Sequence, residues 1–231
     1  MMPPPDEPGL KALLFDAYGT LFDLDSLVPD CNAVFPDRGR DICRLWRAKQ
    51  LEYTHLLSMM GRYEDFWQVT HKALVFACQA LNLECPAELR DRLLESYFQV
   101  EAFSDAGPAL EGLSRHYPLA LLSNGTPKML KVALEHNGLQ AFFPQIISAS
   151  EVGSYKPNLQ VYQWACQKLG QGPDNLGLVS AQAWDVTGAK AFGLWAAWVN
   201  RRAAPWDDLG FAPDATVTSL MELSTVLGLS L

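Results

Sequence analysis

Ala12-Leu13-Leu14-Phe15-Asp16-Ala17-Tyr18-Gly19-Thr20-Leu21-Phe22-Asp23 is the stretch on which the reading of this chain turns. An apolar run of strand length drives into a carboxylate, and a glycine and a hydroxyl follow. A short continuous apolar run bounded by turn residues is the pattern of a strand buried on both faces of a parallel sheet. Ligand sites of open α/β sheets lie at the carboxyl ends of such strands, which is where Asp16 stands. Taken singly, Asp16 is also readable as a turn residue that ends a strand. The rest of the chain has to decide.

Beyond residue 104, strand-like and helix-like segments alternate. Helices are predicted over 106–116, 128–137, 159–169, 184–192 and 220–227. Strands are predicted over 119–122, 146–147, 176–179, 194–199 and 216–217. Such alternation means a parallel sheet covered on both faces. Between 22 and 103 the spacing is helical only, as in Phe66, Val69, Ala73, Ala77 and Ala80. Helices are predicted near 40–59, 64–81 and 87–99, separated at Gly61 and at Cys85-Pro86. The expected fold is α/β. A Rossmann-like parallel-sheet core is built from 1–21 and 104–231, and an all-helical domain of 22–103 is inserted after the first strand. Residues 1–9 read as a frayed, proline-stiffened leader.

The chain has 231 residues, 49% hydrophobic and 19% charged, with a net charge of −8. That balance is globular. The charge argues against a nucleic-acid partner, which needs clustered Lys and Arg, while a small anion needs only one or two local cations. Five cysteines, odd in number and without a Cys-x-x-Cys pair, fit reduced packing thiols in a cytoplasmic protein. Residues 1–8 lack the basic and apolar regions of a secretory signal. No apolar run reaches bilayer-spanning length, so no membrane association is expected. His55, His71, His116 and His136 show no metal-ligand spacing.

Polar groups gather at the predicted strand ends: Asp16 with Thr20, Ser123 with Asn124, and Ser180 with Asp185 nearby. Lys156-Pro157 adds a cation. Each has a plain structural explanation alone, Ser-Asn-Gly as a turn and Asp185 as a first-turn helix acid. At one edge of one sheet they form a candidate site.

The order Asp-x-x-Gly-Thr-Leu, then Ser-Asn-Gly, Lys-Pro and a late Asp resembles the haloacid dehalogenase superfamily. Residues 15–23, 45–54 (Leu-Trp-Arg-Ala-Lys-Gln-Leu-Glu-Tyr-Thr) and 183–189 (Ala-Trp-Asp-Val-Thr-Gly-Ala) resemble one branch of it, the L-2-haloacid dehalogenases. The resemblance implies a core with a helical cap, no cofactor, no metal and a homodimer. It implies hydrolysis of (S)-2-haloacids to (R)-2-hydroxyacids through an ester on Asp16. In this reading Asp16 is the nucleophile, with Lys156 and Thr20 as its supports. Arg47 and Asn124 cradle the halide. Ser123 and first-loop N–H groups near Ala17 hold the substrate carboxylate. Asp185, fixed by Ser180 and Lys156, activates water, and Tyr162 joins that cluster. Tyr18, Leu51, Phe66 and Trp184 wall the substrate's alkyl group.

Phosphatases of the superfamily carry an acid two residues after the nucleophile and another four residues before the last Asp. Here those positions are Tyr18 and Ala181. A halide leaves without a proton, so the missing acids fit dehalogenation. A phosphatase, which magnesium dependence would reveal, and a non-catalytic binding protein are the rival readings. Two departures stand out. Gln182 replaces the branch's usual Asn, and Ala48 stands where some members carry Gln. Both bear on chain-length preference and water positioning.

Overall fold

The computed structural model describes residues 9–229. The expected leader therefore lies, over residues 1–8, outside the described residues. β1 (Ala12–Phe15) is fully buried because both faces of the sheet around it are covered. It is followed by β2 (Leu119–Ser123), β3 (Gln145–Ser148), β4 (Leu176–Ser180), β5 (Trp195–Val199) and β6 (Ala215–Val217). All pairings are parallel, in the order β3-β2-β1-β4-β5-β6. The chain moves outward on one side of β1 and then returns to build the other side beside it. This order leaves a crevice at the carboxyl ends of β1 and β4, the switch point where such sheets bind ligands. Phe15 pairs with both Leu121 and Val179, which brings Asp16 level with Leu122 and Ser180.

Four inserted helices follow β1 along the chain: α1 (Val28–Val34), α2 (Gly39–Met59), α3 (Phe66–Ala80) and α4 (Ala87–Ser96). Then come α5 (Ala106–Ser114), α6 (Pro127–His136), α7 (Leu159–Leu169), α8 (Ala183–Phe192) and a short α9 (Leu223–Val226). Alternate strand residues serve opposite faces. Leu13 and Phe15 pack with Leu110 of α5, Leu130 of α6 and Leu223 of α9. Ala12 and Leu14 pack with Val161 of α7 and Val186 of α8. No strand of the sheet falls within 40–99. The two crossings between sheet and inserted helices are bonded to one another: Asp23 N donates to Glu101 O at 2.8 Å and Phe103 N to Leu21 O at 2.9 Å.

The differences from the expected elements have local causes. α1 is an addition to the expected elements, and its Pro29 sits in the first helical turn, where its missing N–H costs nothing. α3 begins at Phe66 rather than at 64 because the Asp65 side chain caps it, accepting from Gln68 N at 2.9 Å. The helix predicted over 87–99 tightens to a 3-10 turn over Tyr97–Gln99. The closing helix predicted over 220–227 is a 3-10 turn (Leu220–Glu222) followed by α9.

Candidate active site

Asp16, at the end of β1, is 5% exposed, and Lys156 and Asp185 are wholly buried. Lys156 Nζ donates to Asp16 Oδ1 at 2.8 Å, to Asp185 Oδ2 at 2.6 Å and to Leu122 O at 3.0 Å. One ammonium thus uses all three donors, two of them on carboxylates from different strand ends. Burial alone would lower the Lys156 pKa, but Asp16 and Asp185 hold it above its ordinary 10.5. Burial pushes the Asp185 carboxyl above its usual value against the pull of Lys156, and Asp16 adds to the rise. Thr20 Oγ1 donates to Asp16 Oδ2 at 2.9 Å and accepts from Ala181 N at 2.8 Å. Both Asp16 oxygens are therefore oriented, each by a donor on a rigid neighbour.

Two glycines permit this closeness. Gly19 has φ +95, and a Cβ there would fall 2.6 Å from Gln182 Nε2, so the first loop turns tightly beneath that side chain. A Cβ on Gly188 would fall 2.5 Å from Pro157 Cβ and 2.7 Å from the Tyr162 hydroxyl. Its absence lets α8 approach the Lys156-Pro157 segment, whose peptide bond is cis.

Tyr162 belongs to the site. Its hydroxyl donates to Asp185 Oδ1 at 2.8 Å. Ser180 does not hold Asp185 as expected. Its Oγ accepts from Gln182 N at 3.1 Å, shaping the turn from β4 into α8, and that orients it along the turn. Asp185 is fixed by Lys156 and Tyr162 instead. Asn124 Oδ1 accepts from Lys156 N at 2.8 Å, which turns the Asn124 Nδ2 donors away from that segment. Ser123 Oγ accepts from Gly125 N at 3.2 Å and retains its own proton to donate. In the first loop the N–H groups of Gly19 through Phe22 are used internally. Those of Ala17 and Tyr18 make no hydrogen bond within the described chain, leaving two N–H donors beside Asp16.

Arg47 reaches from α2 to the loop after β1. Its Nη2 donates to Tyr18 O at 3.2 Å and its Nη1 to Gln50 Oε1 at 2.6 Å. Gln50, which the sequence reading did not single out, anchors Arg47. Fully buried, it also receives the Tyr97 hydroxyl at 3.0 Å and donates to Thr70 Oγ1 at 2.6 Å. Its helical spacing of three from Arg47 was the available signal. Ala48, by contrast, faces outward, so its side chain does not position water in the site. A second missed strut is Arg201, which donates to Asp105 Oδ2 at 2.6 Å and to Thr20 O at 3.1 Å.

Tyr18 stacks on Phe66 with centroids 6.0 Å apart and also meets Phe22 and Tyr97. The Tyr18 hydroxyl is buried without a partner among the described residues, and burial raises its pKa, keeping it neutral. Leu51 and Gln182 line a cavity of about 710 Å³ that opens beside Gly19 and Arg47. Trp184 meets His55 of α2 edge-on, centroids 5.2 Å apart.

An aspartate at the end of β1, a lysine bridge and a second aspartate, set at the switch point of a 3-2-1-4-5-6 sheet beneath inserted helices, define a hydrolase of the haloacid dehalogenase-like class. The chain belongs to that family, whose model, a haloacid dehalogenase-like hydrolase, matches residues 10–193. Within it the similarity is to one branch. The chain is 43% identical to an (S)-2-haloacid dehalogenase of Pseudomonas sp. (strain YL), with 91% of each chain covered. It is 40% identical to (S)-2-haloacid dehalogenase 2 of Pseudomonas sp. (strain CBS-3), covering 94% of this chain and 96% of that one. The L-2-haloacid dehalogenase of Xanthobacter autotrophicus with chloropropionic acid covalently bound superposes with a TM-score of 0.90 at 33% identity, covering 95% and 98%.

Proposed function

We propose that this enzyme hydrolyses (S)-2-haloacids to (R)-2-hydroxyacids through an ester on Asp16. The observation that carries the reading is the Lys156 bridge: the buried Asp16 carboxylate 2.8 Å from an ammonium, with a second carboxylate 2.6 Å from the same ammonium. In the first step an Asp16 oxygen attacks the substrate α-carbon opposite the halogen. The C–O bond forms as the carbon–halogen bond breaks, and the halide leaves with the bonding pair. No proton moves, which suits a site with Tyr18 and Ala181 where phosphatases carry acids. In the second step water attacks the Asp16 carbonyl carbon and passes a proton to Asp185. The bond between that carbon and the substrate-bearing oxygen then breaks, the departing oxygen takes the proton of the newly added hydroxyl, and Asp185 gives its proton to solvent, so the hydroxy acid carries the original Asp16 oxygen and both carboxylates are restored. One displacement at carbon gives one inversion.

Supporting groups have distinct tasks. Arg47 and the Asn124 amide cradle the halide as its charge develops. Ser123 and the free N–H groups of Ala17 and Tyr18 receive the substrate carboxylate. Tyr18, Leu51, Phe66 and Trp184 flank the alkyl group. The covalent chloropropionic acid in the Xanthobacter relative supports the ester route.

We assign 1–21 with 104–231 to the core and 22–103 to the cap, a division supported by the paired crossings at 21–23 and 101–103. A homodimer is supported by Leu56, Met59 and Met60, large apolar residues exposed at or just beyond the end of α2. A cytoplasmic location is supported by five free cysteines. The test is halide release from L- and D-2-chloropropionate in EDTA. Release from the L-isomer alone, unchanged by Mg²⁺, is expected. Turnover of a phosphate monoester in its place would overturn the reading.

A further inference from the structure

The cavity beside Gly19 and Arg47 is far larger than a three-carbon acid requires, and it is unevenly charged. Arg40, Arg44, Arg47, Arg201 and Arg202 line it against two acids, Asp23 and Asp25. Three of these arginines are committed. Arg47 is held by Gln50 and Tyr18 O, Arg201 by Asp105 and Thr20 O, and Arg202 by Asp25 at 3.0 Å. Asp23 caps the turn that follows it, accepting from Asp25 N at 3.0 Å. Arg40 and Arg44 remain. Both are exposed, and neither has an ion-pair partner among the described residues.

Their spacing is informative. Arg40, Arg44 and Arg47 follow one another at four and three residues along α2, so they form a single stripe. At 1.5 Å rise per residue, Arg40 lies roughly 10 Å along the helix axis from Arg47. Like charges four apart on an exposed helix repel, and the nearest acid on α2, Asp41, is paired with Arg38 at 3.8 Å. The chain as a whole carries −8, so a cavity lined by five arginines and two acids opposes the general field of the protein. Such a local reversal concentrates anions and draws them inward.

We propose that Arg40 and Arg44 form an outer anion subsite, where the carboxylate of an incoming 2-haloacid is held before it moves along α2 to Arg47 and Asp16. The identity of the anion rests on the dehalogenase reading. The existence of the subsite does not.

The test compares wild type, R40A/R44A, R40K/R44K and K11A/R92A. The last pair removes the same charge from residues outside the cavity. Sodium propionate, an unreactive carboxylate, is titrated calorimetrically at low and at 200 mM ionic strength, and L-2-chloropropionate kinetics are measured in parallel. In R40A/R44A, propionate affinity falls and KM rises about tenfold at low ionic strength, within the range of local anion enrichment. The turnover number is unchanged, and the difference shrinks at 200 mM. R40K/R44K restores most of the loss, and K11A/R92A resembles wild type. Propionate affinity that is undetectable in wild type, unchanged in R40A/R44A, or equally reduced in K11A/R92A would overturn the subsite. Loss of propionate affinity in R40A/R44A without haloacid turnover by wild type would uphold the subsite and overturn the dehalogenase reading.

Discussion

The Tyr162 hydroxyl lies 2.8 Å from Oδ1 of Asp185, on the side of that carboxylate away from Lys156. Asp185 is thereby held from α7 as well as from the Lys156 segment. Tyr162→Phe removes one donor from a buried carboxylate, at a cost of about 1–3 kcal/mol in stability. On the proposed mechanism it also disturbs the residue assigned to receive a proton in ester hydrolysis, not the attack on carbon. Rapid-quench kinetics should show a normal burst of halide followed by slowed steady-state turnover. A reduced burst rate with normal hydrolysis would reverse that assignment.

The ester on Asp16 predicts where oxygen goes. In a single turnover in ¹⁸O-water with enzyme in excess, label should enter the peptide carrying Asp16 and leave the first product unlabelled. Asp16→Asn should release no halide, and Asp185→Asn should accumulate the ester, visible by mass spectrometry. Label in the first product, with none in the Asp16 peptide, would eliminate the covalent route.

Arg47 and Gln50 act together. Loss of a transition-state donor raises a barrier by roughly 3–4 kcal/mol, so Arg47→Ala should lower the turnover number several hundredfold with little change in melting temperature. Gln50→Leu keeps the guanidinium but frees it from its anchor, and it strips a buried partner from Tyr97 and Thr70. Its turnover should fall less than that of Arg47→Ala while its melting temperature falls more. Equal losses in both measurements would make the pair merely structural.

Gln182→Asn should alter preference among acyl chain lengths without abolishing turnover. The Gln182 amide overlies Gly19, and Gln182 lines the cavity, so shortening it opens space there. One methylene changes discrimination by about 1–3 kcal/mol at most. Identical relative rates for chloroacetate, 2-chloropropionate and 2-chlorobutyrate would show that the side chain does not meet the substrate.

Acid stability should report on Asp105. Burial acts to raise its pKa, but Arg201, the Leu220 N–H and the Ser219 hydroxyl together hold it below 3.8. A carboxyl depressed in the folded state contributes stability that is present above its unfolded pKa and lost as pH falls through its folded one. The melting-temperature gap between wild type and Asp105→Asn should therefore be steady from pH 8 to 5 and narrow below about pH 4. A gap that is constant into strong acid would refute the assignment.

The sheet was legible because a parallel strand buried on both faces leaves an unbroken apolar run, as at 12–15 and 176–179. Asp16, Thr20, Lys156 and Asp185 were legible because motif order survives in a linear chain. Other features depend on distance across the fold. Gln50 reads as one more polar residue on a helix until Arg47, Tyr97 and Thr70 converge on it. Ser180 reads as a partner for Asp185 until its own turn engages it. Arg201 reads as a surface cation, yet it ties α5 to the Thr20 carbonyl. Polar partners chosen by three-dimensional approach leave no periodic trace, whereas burial does.

The backbone bonds joining Leu21 to Phe103 and Asp23 to Glu101 carry an evolutionary implication. They close the excursion that contains α1 to α4 at its base, so its two ends meet at one point above β1. A short turn there would connect β1 to α5 without altering the strand order. Lengthening, shortening or exchanging what lies between therefore leaves the strand that ends in Asp16, and Lys156 beside it, in place. Such a revision would alter Arg47 and the walls carried by α2 and α3, while Asp16, Thr20, Lys156 and Asp185 stay on the sheet side.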